Sequence, residues 1–88
     1  MPSGEAEKLL GQMRASKAGW TANDLETVYC GYRFDAKEGG KHRLYVHPKY
    51  PELRATVTRH KSLPIGYVHT AIKLIDRLLE LEKGEKHE

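Results

Sequence analysis

The sequence predicts an α+β domain in which helices cover one face of a three-stranded antiparallel sheet. Three observations carry that expectation. Apolar residues recur at helical spacing near both ends of the chain. Between Tyr32 and Thr58 the period shortens to two. Within that middle stretch Gly39-Gly40 and the Pro48–Pro51 segment supply two breaks, which divide it into three strands.

A first helix is expected from Ser3 to about Ser16. Ser3 suits the N-cap, Glu5 and Glu7 lie at the positive end of the helix dipole, and Leu9, Leu10 and Met13 form a narrow apolar stripe. Thr21 opens a second helix, with Asp24 three residues on as a short-armed capping box. Leu25 and Val28 face inward, and Gly31 falls where a left-handed glycine ends a helix. The first strand alternates Tyr32, Phe34 and Ala36 with Arg33, Asp35 and Lys37, and Glu38-Gly39-Gly40 supplies its turn. His42 to His47 forms the second strand, stopped by Pro48, and Leu53 to Thr58 the third. Alternation assigns Tyr32, Phe34, Leu44, Val46, Leu53, Ala55 and Val57 to a dry face. The wet face collects Arg33, Lys37, Arg43, Tyr45, His47, Arg54 and Thr56.

A last helix runs from Tyr67 to about Lys83. Val68, Ala71, Ile72, Ile75, Leu78 and Leu79 are expected to cover the dry face, while Leu74 and Leu81 widen the arc enough to receive the first helix. The organisation expected is an N-terminal helical extension over residues 1–19, a main domain over 20–83 and a charged tail over 84–88. Helix, three antiparallel strands, helix is the layout of a double-stranded-RNA-binding domain.

Bulk composition narrows the function. With 88 residues there is room for one small domain and a shallow site, which suits a polymeric substrate. Cys30 is the only cysteine, so neither an internal disulfide nor a cysteine zinc site is available, and a reducing compartment is expected. No run is long enough to span a membrane, and residues 1–14 lack the pattern of a signal peptide; a cytoplasmic location is expected. The formal charge is +3, but residues 33–61 hold eight cations against three acids, leaving the remainder net negative. A basic middle on an otherwise balanced chain points to a polyanion.

Gly39-Gly40-Lys41-His42-Arg43-Leu44-Tyr45, followed by His47-Pro48, resembles the HicA family of toxin–antitoxin toxins. Thr56 to His60, Pro64-x-Gly66 with Val68 and Ile72, and Leu25 to Phe34 agree with the rest of that family's pattern, so the resemblance covers roughly Trp20 to Leu81. One departure is local: Lys41 stands where the family usually has serine or threonine. The resemblance implies an mRNA-cleaving endoribonuclease that needs no metal or other cofactor, with His42 as the catalytic residue and a HicB-type antitoxin as partner. Chemically, RNA carries its own nucleophile in the 2′-hydroxyl. One imidazole, with an ordinary pKa near 6.5, suffices to remove that proton near neutral pH. Lys41, Arg43, Arg33, Lys37 and Arg54 are the expected phosphate contacts, Tyr45 is expected to stack on a base, and His60 joins the substrate-binding set. His60, His47 and Tyr45 are candidates for a general acid by chemistry alone. Two other readings stay open: a noncatalytic RNA-binding domain of the same layout, and an inactive relative serving only as a protein-interaction module. The first predicts a basic cluster at the start of the last helix, where the chain has no cation until Lys73.

Overall fold

The structure, a computed structural model describing residues 4–58 and 63–85, runs α1 (Gly4–Ala15), α2 (Ala22–Gly31), β1 (Asp35–Gly39), β2 (His42–Val46), β3 (Arg54–Thr58) and α3 (Ile65–Glu85). The α+β class with a three-stranded antiparallel sheet, order β1-β2-β3, is as expected. Ser3, His60 and residues 86–88 lie outside the described residues. No helix among those described is long and apolar enough to cross a membrane.

The capping box at Thr21 is present in both directions. The Thr21 hydroxyl accepts from the Asp24 N–H at 3.2 Å, and the Asp24 carboxylate accepts from the Thr21 N–H at 3.0 Å. Two of the orphan donors at the start of α2 are thereby satisfied. The other end of α2 departs from expectation. Gly31 is the last helical residue, and the left-handed position belongs to Arg33 at φ 73°. The Phe34 N–H reaches the Tyr29 carbonyl at 3.0 Å and the Arg33 N–H reaches Cys30 at 3.0 Å, the paired bonds of a Schellman motif. Its usual apolar contact is also made, with the Tyr29 and Phe34 ring centroids 5.1 Å apart. Because Tyr32 and Arg33 close the helix, β1 begins at Asp35 rather than Tyr32. Tyr32 and Phe34 are buried as parts of the cap, not as strand residues.

The second departure is in β2. Directly opposed residues of an antiparallel pair share a face. Tyr45 opposes Ala36 and Ala55, and Arg43 opposes Glu38 and Val57; Leu44 opposes Lys37 and Thr56, and Val46 opposes Asp35 and Arg54. Arg43, Tyr45 and His47 therefore point to the helices, and His42, Leu44 and Val46 point away, the reverse of the assignment from alternation. The hairpin explains the register. Gly39 pairs with His42 across the two-residue connection Gly40-Lys41, and Gly40 at φ 67° takes the left-handed first position that a type II′ turn reserves for glycine. With the register set there, burying Tyr45 gains more than burying Leu44 or Val46. Its ring stacks on Tyr29 at 4.7 Å, and its hydroxyl donates to Glu26 at 3.1 Å, so the buried phenol is satisfied.

The core lies between the sheet and the helices. Leu25, Val28 and Tyr29 of α2 meet Val68, Ala71, Ile75 and Leu78 of α3 over Tyr45, Leu53 and Val57. Leu74 and Leu81 are half-buried against it, while Leu79, expected on the covering stripe, is 39% exposed. α1 belongs to the same core through Ala6, Leu10 and Met13. At its end the Arg14 guanidinium donates to both oxygens of Asp76 on α3, one bond being 3.1 Å. The hydrogen bond from Arg14 holds the Asp76 carboxyl below its ordinary range.

Two substitutions test these elements by urea denaturation. Met13→Ala removes a fully buried side chain and is expected to cost about 2–5 kcal/mol, whereas a loosely attached α1 would register little change. Arg33→Gly relieves a left-handed side-chain-bearing residue and is expected to stabilise the chain by about 1 kcal/mol.

Candidate functional site

The turned β2 gives the sheet a solvent-facing side with a defined composition. Asp35 and Lys37 of β1, His42 of β2, and Arg54 and Thr56 of β3 are exposed there, while Leu44 and Val46 are half-buried and form an apolar strip between them. His42 projects from the first residue of β2, beside the exposed Lys41 of the turn. Thr58, directly across from it, is buried. Lys37 lies one strand across and two residues along from His42, a Cα separation of about 8 Å from ordinary sheet spacings. Arg54 lies one strand across on the other side and four residues along, about 14 Å by the same spacings. An imidazole at one end, two cations along the flanks and an apolar strip down the middle share one surface.

Four residues expected on this surface are elsewhere: Tyr45, Arg43, Arg33 and His47. Tyr45 is 1% exposed, with its ring stacked on Tyr29, so it has no free face for a base. Arg43 forms ion pairs with Glu26 and Glu38 on the helix side, where its charge is answered within the protein rather than offered to a phosphate. Both corrections follow from the parity of β2: moving a strand by one residue exchanges its entire face. Arg33 is exposed at the C-terminal cap of α2, ahead of the sheet. His60 lies outside the described residues. Among the described residues no group of three His, Cys, Asp or Glu side chains is disposed to hold a metal ion.

His47, expected on the wet face, is 3% exposed and serves the β2–β3 connection. Its Nδ1 accepts from the Lys49 N–H at 3.2 Å and the Tyr50 N–H at 3.3 Å. The ring packs edge-on to Phe34, centroids 5.2 Å apart, and tilted against Tyr50 at 5.4 Å. With Nδ1 accepting, the neutral ring carries its proton on Nε2, which is buried without a partner. Burial pushes the His47 pKa down; Glu82 and Asp35 oppose the shift, and Arg33 and Lys49 add to it. His47 is therefore a structural histidine, held neutral to cap a turn. Sequence reasoning also missed Glu26, which receives both Arg43 and the Tyr45 hydroxyl. The i, i+2 spacing of Arg43 and Tyr45 announces their shared face, but no sequence signal ties that face to Glu26.

No family model, curated protein or solved structure matches the chain.

The buried His47 makes stability pH-dependent in a definite direction. Its folded pKa lies below 6.5, so the unfolded chain binds more protons as pH falls. The contribution is fully present above 6.5 and is lost as pH drops through the folded pKa. Urea denaturation across that range should show stability declining from about pH 6.5 downward. His47→Asn, whose amide oxygen can take over the acceptor role, should flatten that decline. An equal slope in the variant would assign the dependence to other groups.

Proposed function

We propose that the chain is a HicA-type toxin: an endoribonuclease that cleaves mRNA without a metal or other cofactor, with His42 as general base, neutralised by a HicB-type antitoxin. The observation that carries this reading is the exposed imidazole of His42 on a solvent-facing sheet side flanked by Lys37 and Arg54, with Lys41 beside it. The order α2-β1-β2-β3-α3 is compatible with a double-stranded-RNA-binding-domain layout, and the motif around His42 resembles the toxin family. The lone exposed cysteine, Cys30, suits a cytoplasmic protein.

The chemistry follows from what the substrate brings. His42 takes the proton from a 2′-hydroxyl as that oxygen attacks the adjacent phosphorus. The bond from phosphorus to the 5′-oxygen breaks, and that oxygen takes a proton from solvent, giving a 2′,3′-cyclic phosphate and a 5′-hydroxyl. Lys41 and Lys37 are the cations nearest the charge that builds on the phosphoryl oxygens, and Arg54 holds the chain farther along. With Tyr45 in the core, bases meet the Leu44–Val46 strip rather than an aromatic platform. DNA lacks the nucleophile and survives.

The alternative of a noncatalytic duplex-binding domain is weakened at the start of α3, where Ile65, Gly66, Tyr67, Val68, His69 and Thr70 offer no cation. The apolar strip is the feature that favours a protein partner, and a face can serve both an antitoxin and RNA in turn.

Cleavage of a single-stranded RNA by the purified chain tests the reading. His42→Ala should lower the rate about 10²- to 10⁴-fold with folding unchanged. Lys37→Gln and Arg54→Gln should each weaken RNA binding and reduce its salt dependence by about one unit of slope. Equal cleavage by His42→Ala would remove His42 as the base. A folded native chain that neither cleaves RNA nor arrests growth on induction would leave the protein-interaction reading.

A further inference from the structure

We infer that Arg43 is a positioning residue: gripped by Glu26 and Glu38, it fixes the strand end from which His42 projects. The inference rests on the nuclease reading for its catalytic consequence and on the hairpin's geometry for its physical one.

His42 is the first residue of β2, next to a two-residue turn, where strand ends open most readily. Nothing apolar holds the β1 side of the hairpin down, since all five β1 residues are exposed. β3 pairs with the other side of β2, His42 opposite Thr58, so β1 is an edge strand held through β2 alone. The next residue along β2 supplies the missing anchor. Neighbouring strand residues point to opposite faces, so Arg43 reaches the helix side while His42 reaches the solvent side. Separate guanidinium nitrogens of Arg43 contact Glu26 on α2 and Glu38 on β1. The same Glu26 oxygen also accepts from the Tyr45 hydroxyl at 3.1 Å. One carboxylate on α2 thus ties down two residues of β2, and Arg43 joins β2 to β1 across the pair Glu38–Arg43.

Three features suit this grip to positioning. The guanidinium is a planar, rigid fork, so the contact fixes orientation as well as distance. Its side chain is only 28% exposed, which limits screening by salt. Consecutive Cα atoms are about 3.8 Å apart, so a backbone fixed at Arg43 leaves His42 little freedom.

The test uses the full chain with Arg43→Gln, Glu26→Gln and Arg43→Lys, read by amide hydrogen exchange and by kcat and KM on a single-stranded RNA. Arg43→Gln and Glu26→Gln should each speed exchange at residues 38–43 while protection in α2 and α3 is kept. They should lower kcat about 10- to 100-fold with KM nearly unchanged, the signature of a displaced catalytic group. Arg43→Lys keeps the charge without the fork and should restore only part of kcat. Glu26→Gln is close to isosteric and keeps an acceptor for Tyr45, so it carries the test if Arg43→Gln unfolds. A raised KM with unchanged kcat and unchanged exchange would make Arg43 a phosphate ligand and overturn the inference. Unchanged exchange and kcat in both Gln variants would overturn it as well, leaving the nuclease reading intact. A native chain that cuts no RNA would bring down the nuclease reading, and this positioning role with it, whatever the exchange shows.

Discussion

The Gly40-Lys41 turn is the constraint on which the rest depends. A strand's side chains alternate with a period of two, so the pairing register across the turn decides which half of β2 meets the core. With Gly39 opposite His42, Tyr45 enters the core and His42 stays outside. A slip of one residue would bury an imidazole and expose a tyrosine. Gly40 takes the φ 67° that a short hairpin turn requires, and a side chain there would be strained. Backbone chemistry at one glycine therefore sets the register, and the Tyr29 and Glu26 partners of Tyr45 decide which face is buried.

Around that hairpin the two faces are used differently. The inner face is apolar at its centre and ends in the ionic group Glu26–Arg43–Glu38. The outer face keeps Lys37 and Arg54 exposed along with His42. Cations two positions apart thus take different parts: Arg43, in β2, is consumed by intramolecular pairs, and Lys41 is exposed in the turn. α1 extends the core through Met13, packs mainly against α2, and is tied to α3 by the Arg14–Asp76 pair.

Much of this was legible in the chain. Thr21 and Asp24 marked the start of α2, Pro48 the end of β2, and the spacing of Val68, Ala71, Ile75 and Leu78 the buried stripe of α3. Parity was not legible, because β2 alternates between two sets that each contain large apolar groups. Leu44 and Val46 compete with Tyr45, and hydropathy favours the aliphatic pair. The outcome turned on partners distant in sequence, the Tyr29 ring and the Glu26 carboxylate. Arg33 was hidden for another reason: glycine is the usual left-handed C-terminal cap, and Gly31 drew the expectation two residues too early. Of the candidate site, Lys41, Lys37 and Arg54 were legible as exposed polar residues, and His42, Arg43 and Tyr45 were assigned to the wrong faces by the same parity error.

The most direct measurement is the chemistry of the ends left on a single-stranded RNA cut by the purified chain in the presence of EDTA. A 2′,3′-cyclic phosphate and a 5′-hydroxyl are predicted, with a substrate carrying one 2′-deoxy sugar at the cleaved position left whole. Cutting of that deoxy substrate, or ends bearing a 5′-phosphate, would contradict the use of the 2′-hydroxyl and with it the role given to His42.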